Sequence, residues 1–456
     1  MIVMKFGGTS VESAEAIRRV ANIVRRYLPQ RPVVVVSAMG KTTNHLLYVA
    51  ELATQGHHSA LAVLGTIRDF HLEQASELGI KDSLNKTPSG IEATFKELKD
   101  LIKALVVMRE LTPRLIDTIS AYGERLSSLI VLGAFNNLDV PALHYDARGY
   151  IKTDARHTQA APLLAESYRR LRESLVDTCE HGVVPVLGGF IGSTMENVTT
   201  TLGRGGSDYT ASIVGAGIGA EEIQIWTDVD GMLTADPTIL PGGHRVKICS
   251  FAEAAELAYF GAKVLHPATV LPAIEKNIPV RILNSQRAES PGTLIVQTPP
   301  PSTSPIRSIA CKKNITLVNI VSTRMLMAHG FLRRIFEVFD RFETPVDMLA
   351  TSEVSVSLTI DNISSLDAIR AELSTFAEVT VQDGQSIVCM VGENIGSSRS
   401  VAARAFSALN GIKTRMVSQG ASQLNLSVVV DASELTKAVE LLHREFFTEF
   451  DPEAFE

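Results

Sequence analysis

Cysteine is scarce in this 456-residue chain: Cys179, Cys249, Cys311 and Cys389 stand far apart, with no C-x-x-C pair among them. That excludes a disulfide-dense secreted scaffold and fits a reducing cytoplasm. Long apolar runs are missing too, with no eighteen consecutive apolar residues, so no membrane span is expected. Positive charge is not in excess. The formal net charge of −7 excludes a general nucleic-acid binder, and an anionic substrate would have to meet cations gathered in one site. The eleven histidines include His57-His58 but no H-E-x-x-H and no ligand spacing, so no protein-bound metal is expected. The opening MIVMKF reads as a strand, not as the charged start of a leader.

What is present is ample apolar content, 45%, over a length that suits two to four domains. Apolar β-type runs (IVMKF, PVVVVS, VVPVLGGFIG, EIQIWTD, IPVRIL) alternate with amphipathic stretches such as 13–28 and 207–215. That alternation predicts an α/β domain with a largely parallel sheet. Residues 51–110 read as a helical insertion. The proline-rich TPPPSTSP at 298–305 marks a boundary, because proline disfavours continuing either a helix or a strand. Beyond it the pattern repeats. TSEVSVSLTID (351–361) aligns without gaps to ASQLNLSVVVD (421–431), an offset of 70 that also superimposes Arg334 on Arg404, Phe336 on Phe406 and Thr344 on Thr414. Two tandem α+β units follow.

Several segments carry chemistry. VVVVSAMGKTTNHLL (33–47) ends an apolar run in Gly-Lys-Thr, but a Walker A loop needs a glycine where Val35 stands, so this is not a P-loop. KFGGTS (5–10) places Lys5 at a strand end before two glycines and a helix start. Two readings fit: a phosphate-binding turn, or a tight βα turn with Ser10 or Ser13 as cap. TTTLGRGGSDYTAS (199–212) joins glycines, the guanidinium of Arg204, and Ser207 and Asp208 at a helix start. Capping explains Ser207 or Asp208 but not the glycines with an arginine, so a ligand loop is the better reading. Glu124 sits in an otherwise apolar helix (114–135), where pairing with Arg125 on a solvated face is the plain alternative. WTDVDG (226–231) suits either an Asx turn or a nucleotide at the carboxyl edge of a sheet, and Lys263 in FGAKVLHP either a ligand contact or a helix-end charge. GAGIGA (215–220) follows a helix and precedes a strand, the reverse of the dinucleotide-binding context, and reads as a helix stop.

Together KFGGTS, SAMGKTTN, GERLSS, TTTLGRGGSDYTAS, WTDVDGMLTADP and ELAYFGAKVLHPAT resemble the aspartate kinases of the amino-acid kinase family, in order and spacing over the whole chain. FLRRIFEVFDRFETPVDMLATSEVSVSLTID resembles their lysine-inhibited, monofunctional class. The resemblance implies a three-layer kinase domain (1–297), a linker (298–306) and two ferredoxin-like ACT domains (307–385 and 386–456). It implies ATP-dependent phosphorylation of the β-carboxylate of L-aspartate, with Mg²⁺ bridging the nucleotide phosphates. By similarity Lys5, with Phe6, Gly7 and Gly8, holds phosphates and Asp208 organises the transfer centre. Arg204 takes the substrate α-carboxylate and Glu124 its ammonium, while Thr43, Phe190, Gly205, Gly206 and Ser207 complete the pocket. Thr227, Asp228, Leu233, Lys263 and Val264 hold ATP. Where some relatives carry Tyr and Arg after T-D-V, this chain has Leu233 and Thr238, leaving Arg245 or Lys247 as substitutes for the missing phosphate contact.

Matching the same class, Met325, Phe331, Leu332, Val346, Asp347, Thr351, Ser352 and Glu353 line an allosteric lysine site in the first repeat. At the offset of 70, Asp347 and Glu353 become Val417 and Gln423. An ammonium buried without a negative partner is costly, so only the first repeat is expected to take the effector, the second serving pairing. A homodimer through the ACT domains is expected. The rivals are a kinase fused to a dehydrogenase, for which the chain leaves no room, and a non-catalytic amino-acid sensor on a kinase scaffold, against which the charges at Lys5, Glu124, Arg204, Asp208 and Lys263 argue.

Overall fold

The computed structural model describes residues 1–57, 59–80, 87–261, 267–322, 329–393, 395–398, 400–449 and 451–456. Lys263, Val264 and Met325 lie outside the described residues. Along the chain run β1 (Ile2–Phe6), α1 (Ala14–Tyr27), β2 (Pro32–Val36), α2 (Thr42–Thr54), α3 (Ser59–Glu77), α4 (Thr87–Met108) and α5 (Pro113–Asn137). There follow β3 (Ala142–Tyr145), α6 (Leu164–Glu180), β4 (Val184–Gly188), β5 (Ile191–Ser193), β6 (Thr199–Thr201), α7 (Gly206–Ile218) and β7 (Glu222–Thr227). Next come β8 (Ile248–Ser250), α8 (Phe251–Tyr259), α9 (Leu271–Glu275), β9 (Val280–Asn284) and β10 (Thr293–Val296). The rest of the chain forms β11 (Ser308–Val321), α10 (Phe331–Arg341), β12 (Met348–Thr351), β13 (Ser355–Ile360), α11 (Leu366–Leu373) and β14 (Glu378–Val391). It closes with α12 (Val401–Ala408), β15 (Thr414–Gln419), β16 (Asn425–Asp431) and α13 (Leu435–Phe447). Two compact units result: residues 1–232 with 264–299, and residues 233–263 with 300–456.

In the first unit seven strands stand in the order β3-β4-β2-β1-β7-β9-β10. Neighbours are parallel except for antiparallel β10. β1, β2 and β4 are buried along their whole length, which is why they read as unbroken apolar runs without alternation. Helices α1 and α2 each pack on α5, which reaches β2, β3 and β4; α6 and α7 cover β1, β2, β4 and β7 as the other layer. The expected α/β class and parallel sheet are met. α1 begins where the Ser13 hydroxyl accepts from the Ala16 N–H at 3.2 Å. It buries Ile17, Val20, Ala21 and Val24, the i, i+3, i+4, i+7 spacing of one helical face. α5 starts on a Thr112 cap with Pro113 as its first residue, where a missing N–H costs nothing. The helical insertion expected at 51–110 is α3 with α4.

The second unit is built on one six-stranded sheet, β12-β13-β11-β14-β16-β15. Its two halves repeat at the offset read from sequence: β11 and β14 begin at 308 and 378, β13 and β16 at 355 and 425. The same offset recurs in side-chain packing. Arg334 lies 4.2 Å over the Phe376 ring and Arg404 4.6 Å over Phe446. Two details differ from the expected bounds, a kinase domain over 1–297 and, beyond it, two separate units with a boundary between 385 and 386. That boundary falls inside β14, because β11 and β14 pair with each other along both halves: Val321 faces Glu378 and Ser308 faces Val391. Residues 233–263 also fold with this unit. Buried Arg307 pairs with buried Glu253 at 3.3 Å, and the Arg245 and Lys247 N–H groups donate to Glu456 and Ala454. No helix among the described residues is long and apolar enough to cross a membrane.

Candidate active site

The carboxyl ends of β1, β2, β4 and β7 are level, with Phe6 opposite both Val36 and Trp226, and Val36 opposite Gly188. The loops leaving these ends therefore share one edge, where open parallel sheets bind ligands. A cleft of about 370 Å³ opens there. It is lined by Lys5, Gly8, Thr43, Glu124, Phe190, Arg204, Gly205, Gly206, Ser207 and Asp208, all of them candidates from sequence. Ser37, Ala38, Gly40 and Gly203 also line it and were not singled out. The signal for the first two was available, since they are the residues that leave the carboxyl end of β2.

Lys5 Nζ lies 2.7 Å from Asp208 Oδ1, with both side chains largely shielded from solvent. Asp208 is in the first turn of α7, where a negative charge faces the positive end of the helix dipole. The capping alternative for Ser207 and Asp208 does not hold: the residue before the helix is Gly205, at φ +70°, and no side chain caps it. Phe190 also stands at φ +66°, unusual for a bulky residue. Two bonds fix it, from its N–H to Thr210 Oγ1 at 3.0 Å and from the Leu202 N–H to its carbonyl at 2.9 Å. A Cβ on Gly206 would come within 2.7 Å of the Phe190 ring, and one on Gly189 within 2.8 Å of the Ser207 Cα. The glycines are thus conditions of the loop's closeness.

Glu124 is not on a solvated face. It is 4% exposed, and Arg125 turns away to Glu97 at 3.2 Å. The Ala38 N–H donates to Glu124 Oε1 at 3.2 Å, while Oε2 is buried with no hydrogen-bond partner among the described residues. Burial pushes its carboxyl up to about 8, against the opposing effect of the Ala38 and Glu124 N–H groups. Arg204 is exposed, with no ion pair among the described residues. The cleft thus offers one free guanidinium, one buried carboxyl short of a donor, and a lysine held by an aspartate. Such a set can grip an α-amino acid at both charged ends while stabilising negative charge beside its side chain.

Other candidates sit elsewhere. The Phe6 side chain is fully buried, stacked on Trp226 at a centroid distance of 5.9 Å, so only its backbone can meet a ligand. Gly7 donates its N–H to the Trp226 carbonyl at 3.0 Å. Thr227 and exposed Asp228 end β7, the hydroxyl donating to Asp228 Oδ1 at 3.2 Å. Leu233 belongs to the second unit, where its carbonyl accepts from Ser308 Oγ at 2.7 Å. Arg245 and Lys247 do not stand in for a phosphate-binding arginine. Arg245 pairs with Glu456, and Lys247 Nζ donates to the Pro452 carbonyl at 2.7 Å. GAGIGA closes α7 on Gly219 at φ +68°, the helix stop read from sequence.

In the first half of the six-stranded sheet Asp347 and Glu353 stand at opposite ends of the β12–β13 hairpin, about six residues or roughly 20 Å of extended chain apart. One ammonium cannot touch both within one chain. Asp347 Oδ1 is held by Lys312 Nζ at 2.5 Å, which also reaches Asp361 at 2.8 Å. Asp347 Oδ2 is buried without a hydrogen-bond partner among the described residues. Phe331 is buried in the α10 core, Leu332 is partly exposed, Val346 packs against that core, and Thr351, Ser352 and Glu353 are exposed.

A model of the amino acid kinase family matches residues 1–284, and an ACT domain model matches 388–446. The chain is 41% identical to Aspartokinase 2, chloroplastic, of Arabidopsis thaliana, over 99% of this chain and 85% of that protein. It is 35% identical to Lysine-sensitive aspartokinase 3 of Escherichia coli over 98% and 99%. Among solved structures it matches E. coli aspartokinase III in complex with lysine and aspartate in its T-state, at a TM-score of 0.85 and 34% identity, covering 98% and 99%. The same enzyme with aspartate and ADP in its R-state matches at a TM-score of 0.83 and 34% identity, covering 98% and 100%. The chain belongs to the amino acid kinase family and, within it, to the aspartokinases.

Proposed function

We propose that the cleft transfers the γ-phosphoryl group of ATP to the β-carboxylate of L-aspartate, giving 4-phospho-L-aspartate and ADP. The observation that carries this is the Lys5–Asp208 pair, set 2.7 Å apart in the same cleft as exposed Arg204 and buried Glu124. Arg204 binds the substrate α-carboxylate as a fork-shaped donor, and Glu124 receives the ammonium it lacks in the unliganded cleft. Thr43, Phe190, Gly205, Gly206 and Ser207 shape the walls. The β-carboxylate is already anionic at pH 7, so no general base is required, and catalysis rests on positioning and charge stabilisation. Lys5, oriented by Asp208, neutralises the transferring phosphoryl group, while the backbone of Phe6, Gly7 and Gly8 approaches the phosphates. Thr227, Asp228, Leu233, Lys263 and Val264 hold the nucleotide.

Among the described residues no group of three or more His, Cys, Asp or Glu could hold a metal. With Asp208 committed to Lys5, the site fits a Mg²⁺ that arrives on the nucleotide phosphates. There it would neutralise phosphate charge.

Catalysis belongs to the first unit, within the expected bounds 1–297, and regulation by L-lysine to the two ACT repeats that share the six-stranded sheet beyond the 298–306 link. Asp347 Oδ2 is the acceptor left for an effector ammonium, with Met325, Phe331, Leu332, Val346, Thr351, Ser352 and Glu353 as the expected surroundings. Homodimerisation through the ACT sheets and a cytoplasmic location complete the reading. The test is ADP release from Mg-ATP with and without L-aspartate, and with millimolar lysine or threonine. Aspartate-dependent turnover suppressed by lysine supports it. Turnover suppressed only by threonine removes the effector assignment, and lysine binding without turnover makes the chain a sensor on a silent scaffold.

A further inference from the structure

Asp117 precedes Glu124 by seven residues on α5, two helical turns, so both project from one face of the helix. Glu124 enters the cleft. Asp117 does not line it, yet its carboxylate is fully buried and saturated with donors. It accepts from His157 Nδ1 at 2.7 Å, from the Thr158 N–H at 3.0 and 3.1 Å, and from the Thr201 hydroxyl at 2.5 Å. So many bonds on one buried acid need a purpose, because desolvating a carboxylate is costly.

The bonds converge on the two rails that flank Gly203. One rail is the loop holding His157 and Thr158, the latter at φ +72°, a conformation a β-branched residue adopts only when its surroundings enforce it. The other is β6, ending at Thr201. The Ala160 N–H ties the rails together through the Thr201 carbonyl at 2.9 Å. Gly203, itself at φ +76°, is pressed against the first rail: a Cβ there would meet the Thr158 carbonyl at 3.2 Å and Gln159 Cγ at 3.3 Å. Gly203 then accepts from the Gly206 N–H at 3.0 Å, closing the turn that displays Arg204. Since no ion pair among the described residues holds the Arg204 guanidinium, its backbone sets where it can reach.

We propose that Asp117 is a positioning residue for substrate recognition: by clamping the Thr158 and Thr201 rails it fixes the turn from which Arg204 meets the α-carboxylate. The inference rests on the assignment of Arg204 given above. Asn in place of Asp117 exchanges an acceptor for a donor among three donors and loosens the clamp while keeping the volume. Asp117→Asn is expected to raise KM for aspartate about tenfold or more, with kcat and KM for ATP within about threefold. A residue of merely structural importance would lower the apparent kcat through a smaller folded fraction and leave both KM values unchanged. In an Arg204→Lys background the same change should add less than about threefold, because the two act through one contact. If Asp117→Asn fails to fold, Thr201→Val, which deletes one bond at constant volume, should raise KM for aspartate in the same selective way. A selective KM effect that vanishes in the Arg204→Lys background supports the proposal. Loss of kcat at unchanged KM for aspartate, or full multiplication of the two effects, overturns it. An Arg204→Lys variant with normal KM for aspartate overturns the parent assignment as well.

Discussion

Replacing Glu124 by glutamine should make the unliganded protein more stable at alkaline pH, and the gain can be calculated. In the folded chain burial pushes the Glu124 carboxyl up to about 8, from an ordinary value of 4.5. Between those two values the native state holds a proton that the unfolded chain has released, so stability falls as pH rises. The stabilising neutral form is complete below 4.5 and lost as pH passes through 8. From pH 6 to pH 8 the cost grows by about 1.4 kcal/mol per unit, or about 3 kcal/mol in all. Glutamine keeps the size and cannot ionise. Chemical denaturation of both proteins at pH 6, 7, 8 and 9 isolates this group, because every other titration cancels in the difference. The variant should gain about 3 kcal/mol on the parent between pH 6 and pH 9, most of it before pH 8. Adding L-aspartate should restore the parent at high pH and leave the variant unaffected, since only the parent gains an ion pair with the ammonium. The same proton balance makes aspartate binding release a proton, so its apparent affinity should rise about tenfold from pH 7 to pH 9. Parallel stability profiles for parent and variant would mean that burial does not raise the Glu124 carboxyl.

Two further outcomes follow from the geometry. Gly189→Ala would drive a Cβ within 2.8 Å of the Ser207 backbone at the start of α7. It should cut kcat/KM for aspartate by more than about tenfold while costing about 1–3 kcal/mol of stability, measured by steady-state kinetics and denaturation together. Asp347→Ala removes the buried carboxylate shared by Lys312 and the proposed effector, so turnover should persist while inhibition by lysine weakens at least about tenfold in an ADP-release titration.

Much of this was legible in the residues. The buried β1, β2 and β4 announced a parallel sheet by their unbroken apolar runs, and the repeat at an offset of 70 appears in strands, helices and the Arg–Phe pairs alike. Most of the cleft candidates came together because they leave a carboxyl strand end or open α7, a placement that strand order dictates, whereas Thr43 and Glu124 reach it from α2 and from the middle of α5. What escaped were contacts between segments distant in sequence. Nothing near Asp347 foretold that Lys312, on a different strand, would occupy its oxygen. The docking of 233–263 on the regulatory sheet depends on the buried Arg307–Glu253 pair, and neither residue stands in a motif. Asp117 stands in none of the motifs, and only the fold brings His157, Thr158 and Thr201 to it. The division at 385 and 386 came with the family resemblance, whereas hydrogen bonding carries β14 straight through it.

In the proposed reaction Lys5 and its neighbours make an acyl phosphate on the aspartate side chain. Hydroxylamine attacks acyl phosphates and converts them to hydroxamates, which distinguishes this product from other phosphoryl acceptors. Incubation with Mg-ATP, L-aspartate and hydroxylamine should give aspartate β-hydroxamate in step with ADP. Lys5→Met should suppress both by at least about a hundredfold, as expected for loss of a charge that stabilises the transferring group. ADP formed without hydroxamate, or a Lys5→Met variant that retains activity, would contradict the account.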